Sequence, residues 1–344
     1  MMRSKRSTIG MWTAIFCAVA VATAAQGKSP KPGPIRVGED TPARPSVSQE
    51  VELIAGADTI RGTLVVPTSD KPVPLVVIFS GSGPTDRNGN TILIRGKNDC
   101  LRMLSDSLRE EGIATLRYDK RGVGASQRAA KTESALRLTT YSDDAVLWAR
   151  KYRHDVRFST MIFLGHSEGA LIGTLAAKQE KPDGLVLFSG AGRPAHEVIH
   201  EQLKRSISAE LVEKSDAIAD TLMMGKDVAV VPPILMSLYR PSVQPYMKSW
   251  LGLDPAAELR DVKLPTLVIW GTSDIQITRE DADLLASSRK GIRKLIIPNM
   301  NHVMKPTLED PSAQISAYSD STIVLAPGLI EPLARFVKGV KRES

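Results

Sequence analysis

A predicted strand, a short turn and a predicted helix follow one another directly at residues 161–178. Residues 161–164 form an apolar run rich in residues that favour strands, which indicates a buried strand. Residues 170–178 are mostly small and apolar at helical spacing, which predicts a helix immediately after the turn. Strand-like and helix-like segments alternate in the same way from Leu75 onward. The sequence therefore predicts an α/β fold with a mostly parallel central sheet flanked by helices.

The turn between these two elements is Gly165-His166-Ser167-Glu168-Gly169, a match to the G-x-S-x-G pattern. In this pattern a serine stands exposed on a sharp turn beside a base, and the two glycines leave room for neighbouring backbone. The first N–H groups of the helix can stabilise a developing oxyanion. We therefore predict Ser167 as a nucleophile and the Glu168 N–H as an oxyanion donor. An ordinary Gly-Ser turn in a β-α unit is the alternative.

Two other polar side chains also follow predicted buried strands directly. Asp274 comes after the strand at residues 266–270, and His302 comes after the strand at residues 294–298. Reactive groups in a parallel sheet collect at the carboxyl ends of the strands, so we expect both near Ser167. His302 would take the proton of Ser167, and Asp274 would fix the tautomer of the histidine and stabilise the imidazolium.

Competing side chains fit these roles less well. His166 adjoins the serine and is expected to point elsewhere, and three other histidines lie in helical segments: His154, His196 and His200. Asp254 and Asp261 precede the strand at residues 266–270 instead of following it. The histidines are scattered and the cysteines are few, which gives no ligand spacing for a metal. We predict no metal and no cofactor.

A second oxyanion donor is expected in the glycine-rich loop at residues 80–90, which follows the apolar strand at residues 75–79. The Ser82 N–H is our choice, and an ordinary polar turn is the alternative. Another glycine-rich segment, residues 119–126, lacks the Gly-Lys-Ser/Thr ending of a phosphate-binding loop. We interpret it as a structural turn in which Asp119 and Arg121 bond locally.

The alternation of strands and helices is interrupted at about residues 193–260. This segment looks helical and contains several methionines, which adapt to varied apolar shapes. We interpret it as a helical cap inserted over the serine. A helical extension packed on the sheet is the alternative.

The N-terminus has the pattern of an export signal. Arg3, Lys5 and Arg6 precede an uncharged stretch at residues 9–25 that ends in small residues. We predict a signal peptide at 1–25 with cleavage near Ala24 or Ala25, a proline-rich linker at 26–46, and one α/β domain at 47–344 that includes the cap. The expected location is periplasmic or secreted, with no stable membrane insertion after cleavage. A membrane anchor is the alternative.

The charge of the chain gives no indication of a nucleic-acid partner. The formal net charge is +7, part of it lies in the signal, and the rest is small and scattered.

Five segments of the chain together resemble the α/β-hydrolase superfamily, in particular bacterial exported hydrolases similar to the serine aminopeptidase and dienelactone hydrolase groups. They are Gly81-Ser82-Gly83-Pro84-Thr85-Asp86-Arg87, Tyr118-Asp119-Lys120-Arg121-Gly122-Val123-Gly124, Gly165-His166-Ser167-Glu168-Gly169, Gly271-Thr272-Ser273-Asp274 and Asn301-His302-Val303-Met304-Lys305. The resemblance implies the α/β-hydrolase fold and a catalytic triad. The chain departs from the family at Ser80-Gly81, where His-Gly is usual before the oxyanion loop.

These observations predict a serine hydrolase that cleaves small-molecule carboxylic esters through an acyl-enzyme intermediate. An aminopeptidase-like peptidase, a thioesterase, an acyltransferase and a non-catalytic binding module are the alternatives. An aminopeptidase would need acidic residues in the cap to bind a substrate amine. Six such residues are available: Glu197, Glu201, Glu210, Glu213, Asp216 and Asp220.

Overall fold

The computed structural model describes residues 45–307 and 311–342. The predicted signal peptide at 1–25 lies outside these residues, as does all but the end of the predicted linker at 26–46. Within the described ranges, no helix is long and apolar enough to span a membrane.

A single eight-stranded sheet forms the centre of the protein. Its strands are β1 (Ser46–Ala55), β2 (Asp58–Pro67), β3 (Val73–Phe79), β4 (Ala114–Tyr118), β5 (Phe158–His166), β6 (Gly184–Phe188), β7 (Thr266–Gly271) and β8 (Arg293–Ile297). Their order across the sheet is β1-β2-β4-β3-β5-β6-β7-β8. The pairs β1-β2 and β2-β4 are antiparallel, and every later pair is parallel. The carboxyl ends of the six strands β3 to β8 therefore point to the same edge of the sheet.

Helices connect the strands and cover the sheet. They are α1 (Cys100–Glu110), α2 (Leu138–Tyr152), α3 (Glu168–Glu180), α4 (Ala195–Lys204), α5 (Ala209–Met223), α6 (Met236–Tyr239), α7 (Gln244–Trp250), α8 (Pro255–Arg260), α9 (Arg279–Ser287), α10 (Pro311–Ser319) and α11 (Ile330–Gly339). Short 3₁₀ helices lie at Gly124–Ala129, Glu133–Ala135 and Pro233–Leu235.

The central strands are mostly apolar because both of their faces are covered. Side chains alternate between the faces of a strand, and along β3 Val76 and Ile78 belong to one buried apolar cluster while Val77 and Phe79 belong to the other. Each cluster seals one side of the sheet. Polar side chains at the strand ends are thus held on a rigid base.

Helices α4 to α8 fill the chain between β6 and β7, and we call residues 195–260 the cap. Several side-chain contacts attach the cap to the elements around the sheet, and three of them reach the segments that follow β4 and β5. The Tyr246 hydroxyl donates to Glu168 at 2.6 Å, Ser249 accepts from the Leu138 N–H at 2.9 Å, and Arg240 forms an ion pair with the buried Glu133. The helical interruption expected at residues 193–260 is therefore present, and it lies against the carboxyl edge of the sheet.

Candidate active site

Ser167 stands on a strained turn between β5 and α3. Its φ is 57° and its ψ is −124°, a conformation that costs a side-chain-bearing residue roughly 1–3 kcal/mol. A Cβ atom on Gly165 would lie 2.0 Å from the Gly169 carbonyl oxygen, and one on Gly169 would lie 2.3 Å from the Phe79 carbonyl oxygen. Only glycine fits at either position. The Ser167 N–H donates to the Phe188 carbonyl at 2.9 Å, which ties the turn to the end of β6.

Asp274 and His302 are in direct contact at the ends of β7 and β8. His302 Nδ1 lies 2.9 Å and 3.1 Å from the two carboxylate oxygens of Asp274, and both side chains are buried. Oδ1 of Asp274 also accepts from the N–H groups of Gln276 at 2.8 Å and Ile277 at 3.0 Å, so the carboxylate cannot rotate freely. A carboxylate beside Nδ1 makes that nitrogen the donor, and Nε2 of the neutral ring is then free to accept a proton.

His166 connects the serine turn to the loop that carries His302. Its Nε2 lies 2.8 Å from the His302 carbonyl oxygen, and the centroids of the two rings are 4.9 Å apart. Burial, with a smaller contribution from the neighbouring His302, lowers the pKa of His166 to about 3. The ring is therefore neutral and donates from Nε2, while Nδ1 has no hydrogen-bond partner among the described residues. Sequence reasoning gave His166 no role, and the structure places it behind the site as a support for the backbone of His302.

The two predicted oxyanion donors lie close to Ser167. Ser82 and Glu168 line the same cavity as the serine, and a Cβ atom on Gly81 would lie 3.1 Å from the Ser167 Cβ. In the described ranges no backbone carbonyl accepts from the Ser82 or Glu168 N–H. Both N–H groups are therefore available to an oxygen that develops charge above the serine.

The five predicted residues thus gather at one edge of the sheet, and comparison with known proteins gives the same fold. A family model described as serine aminopeptidase, S33, matches residues 97–230. Esterase EstD of Thermotoga maritima is 31% identical over 248 residues, which is 71% of this chain and 57% of EstD. This chain belongs to the α/β-hydrolase superfamily. The predicted fold class is confirmed.

Two solved structures extend the likeness over most of the superfamily domain. Est1E from Butyrivibrio proteoclasticus matches 84% of this chain and 96% of its own length, with 15% identity and a TM-score of 0.52. The dienelactone hydrolase from Anabaena variabilis matches 86% of this chain and 99% of its own, with 16% identity and a TM-score of 0.51. At these identities the two structures are similar in fold alone.

A small cavity opens beside Ser167 under the cap. It has a volume of about 30 Å³, and it is lined mostly by apolar side chains: Leu171, Ala191, Ala195, Val198, Trp250, Pro255 and Ile277. The charged Arg193 also lines this cavity, but Asp281 holds its guanidinium through two contacts of 3.1 Å. A second cavity, also of about 30 Å³, shares Ser82, Glu168 and Trp250 with the first. Both cavities that Trp250 lines are therefore small, and Arg193, the cation that lines the first cavity, is paired with Asp281.

Four of the six acidic cap residues meet in a separate groove. Glu197, Glu201, Asp216 and Asp220 line a cavity of about 310 Å³ together with His196 and His200. Ser167 does not line this groove, and Arg193 lines both the groove and the cavity beside the serine. The acidic side chains are thus outside the cavity of the nucleophile. In the part of the chain that the structure describes, no cluster of three or more histidine, cysteine or acidic side chains is suited to hold a metal.

The Glu168 side chain takes part in a buried network that sequence reasoning missed. Lys120 follows β4, is 3% exposed, and lies with Nζ 3.4 Å from Glu168 Oε2. The other carboxylate oxygen of Glu168 accepts from the Tyr246 hydroxyl, and Lys120 also donates to the Gly81 carbonyl. The Glu168 carboxylate therefore links the turn after β4 and the cap to the serine turn.

Asp119, the neighbour of Lys120, accepts from the Ala125 N–H at 2.8 Å, as expected, but it also pairs with Arg87 of the loop after β3. The expectation that Arg121 bonds locally is wrong, because Arg121 pairs with Asp58 and Asp144.

Proposed function

We propose that this chain is a serine hydrolase that cleaves small-molecule carboxylic esters through an acyl-enzyme intermediate, with Ser167, His302 and Asp274 as its triad. The observation that carries the proposal is the contact between His302 and Asp274 at the same sheet edge as the strained Ser167 turn. The order Ser, Asp, His along the chain is the order of α/β hydrolases.

The reaction follows from the protonation states at the site. His302 Nε2 takes the Ser167 proton while Oγ bonds to the ester carbonyl carbon, and the carbonyl oxygen becomes an oxyanion facing the Ser82 and Glu168 N–H groups. When the tetrahedral species collapses, the C–O bond to the alcohol breaks and the His302 imidazolium gives its proton to that alcohol. Water then repeats the sequence on the acyl-enzyme, releasing the carboxylic acid and restoring Ser167.

Two observations favour an ester over a peptide substrate. The acidic side chains that would bind a substrate amine line a groove separate from the cavity at Ser167. The relative EstD is named an esterase, although this chain spans only 57% of its length. We also propose that the protein acts in the periplasm or outside the cell, because of the signal pattern at residues 1–25.

Serine substitution tests this proposal directly. Ser167→Ala should reduce hydrolysis of p-nitrophenyl acetate or butyrate by several orders of magnitude, because the nucleophile is lost. Ser189→Ala is the matched control, since Ser189 also follows a strand with a positive φ of 47°. Fluorophosphonate labelling of Ser167 separates an enzyme from a binding module, and aminoacyl-anilides measured beside the esters separate a peptidase from an esterase. A folded Ser167→Ala variant that turns over esters at the wild-type rate would refute the assignment.

A further inference from the structure

The peptide unit between Gly81 and Ser82 is held by a buried cation. Lys120 Nζ donates a hydrogen bond to the Gly81 carbonyl oxygen. In a trans peptide the carbonyl and the following N–H belong to one plane and point in opposite directions, and the described residues contain no cis peptide bond. Holding the Gly81 oxygen therefore fixes the direction of the Ser82 N–H, which is a candidate oxyanion donor.

The same cation is linked to the second candidate donor. Lys120 is paired with the side chain of Glu168, whose own backbone N–H begins α3 beside Ser167. Lys120 Nζ also lies 5.2 Å from the centre of the Tyr141 ring, which adds a cation–π contact. Lys120 thus ties the loop after β3, through the Gly81 carbonyl, to the turn after β5, through Glu168. These two segments carry the two candidate oxyanion donors, the Ser82 and Glu168 N–H groups.

The cap reaches the ion pair through one hydroxyl. Tyr246 of α7 is 2% exposed and donates to Glu168 Oε1 at 2.6 Å. Burial lowers the pKa of Lys120, and the Glu168 carboxylate offsets part of that shift. A buried ion pair gives little net stability, because desolvation of both charges opposes their attraction. Structural stability alone is therefore a weak reason for this network.

We propose that Lys120 and Glu168 are positioning residues that align the Ser82 N–H with the oxyanion, and that Tyr246 makes this alignment depend on the position of the cap. The inference rests on the proposed serine hydrolase function. The Lys120 ammonium that donates to the Gly81 oxygen also polarises the peptide unit and strengthens the Ser82 N–H as a donor. The network then acts on the transition state, where the oxyanion forms, and leaves ground-state binding of the ester almost unchanged.

Lys120→Met is the primary test. We expect kcat to fall about 10- to 100-fold, somewhat less than loss of an oxyanion donor costs, with KM within about twofold of wild type. The inhibition constant of a trifluoromethyl ketone, which forms a tetrahedral adduct with serine, should rise by the same factor. Tyr246→Phe removes one hydroxyl and should give a smaller fall of the same kind. Glu168→Gln keeps one acceptor oxygen but loses the charge that pairs with Lys120, so it should also lower kcat, by less than Lys120→Met does.

Arg121→Met is the matched control. Arg121 is the next residue and is paired with Asp58 and Asp144, so its loss removes a neighbouring cation without touching Gly81 or Glu168. Circular dichroism and thermal unfolding establish that each variant is folded at the assay temperature. Where Lys120→Met fails to fold, Lys120→Met combined with Glu168→Gln removes both buried charges and takes its place.

The outcomes separate this inference from the proposed function. Wild-type kcat in a folded Lys120 variant, an equal loss in Arg121→Met, or an effect on KM alone would overturn the positioning role. The proposed function survives any of these results if fluorophosphonate labels Ser167 and Ser167→Ala abolishes turnover. If the wild-type protein is neither labelled nor active, the proposed function fails and this inference fails with it.

Discussion

One buried imidazole, that of His166, should make the stability of this protein sensitive to acid. The pKa of His166 is lowered from 6.5 to about 3, mainly by burial and also by the nearby His302. In the unfolded chain the imidazole takes up a proton once the pH falls below its ordinary pKa, whereas in the folded chain it stays neutral. The free energy of unfolding therefore decreases as the pH falls from about 6.5 towards about 3. At pH 5 the free energy of unfolding is lower than at neutral pH by about 2 kcal/mol. This follows because pH 5 lies about 1.5 units below the ordinary pKa of the imidazole and each unit corresponds to about 1.4 kcal/mol.

Urea unfolding between pH 7.5 and pH 4.5 measures this contribution. His166→Gln keeps an N–H donor for the His302 carbonyl but cannot titrate, so its stability should depend less on pH than that of the wild type. We expect the wild type to lose about 2 kcal/mol more than the variant between pH 7.5 and pH 5. His154→Gln makes the same change at an exposed histidine and controls for the substitution itself. Parallel stability profiles for the wild type and His166→Gln would refute the reasoning, since the folded imidazole would then titrate as the unfolded one does.

Three further predictions concern the triad, the serine turn and the N-terminus. Asp274→Asn should lower kcat/KM on the order of 10⁴-fold because the His302 tautomer is no longer fixed, whereas the control Asp261→Asn should leave kcat/KM unchanged. A pH–rate profile of each variant, with circular dichroism to establish its fold, measures the effect, and near-normal kcat/KM in Asp274→Asn would place the acid elsewhere. Gly165→Ala should lower the Tm and abolish activity because its Cβ would lie 2.0 Å from the Gly169 oxygen, whereas Gly339→Ala, with no atom within 4 Å of the added Cβ, should change neither. N-terminal sequencing of exported protein should begin near Ala25 or Gln26, and a membrane-bound chain that retains Met1 would indicate an anchor.

The residues at the strand ends could be predicted because backbone topology alone brings them together. Ser167, Asp274 and His302 each follow an apolar strand, and parallel strands end at the same edge of their sheet. The contact between Asp274 and His302 agrees with this expectation, and the roles of the three residues remain predictions for the experiments above. The helical interruption between β6 and β7 was also visible, because its pattern of apolar residues differs from that of the strands around it.

Other features depend on packing that no local pattern reports. Helix α10 at Pro311–Ser319 has small and polar residues without a clear apolar stripe, and it went unpredicted. Its Gln314 donates to the Ser273 carbonyl at 2.8 Å, next to Asp274, and its Ala317 and Tyr318 are buried. Tertiary contacts with the loops that carry the triad therefore define this helix. The sequence also did not predict that four acidic residues of the cap line a groove away from Ser167, because their position depends on how α4 and α5 pack.

Lys120 and the side chain of Glu168 were overlooked because charged side chains in turns are usually solvated. The topology of the sheet explains why these two are not. Strands β4 and β5 are the two neighbours of β3, so the turns that follow them border the loop after β3 on both sides. Tyr246 of the cap contacts Glu168 there, and both Lys120 and Glu168 are buried. In this chain the cation of one turn pairs with the carboxylate of the other and also donates to the Gly81 carbonyl. The strand order therefore gives a reason to examine these two positions first in any chain of this topology that carries a lysine after β4 and a glutamate after the serine.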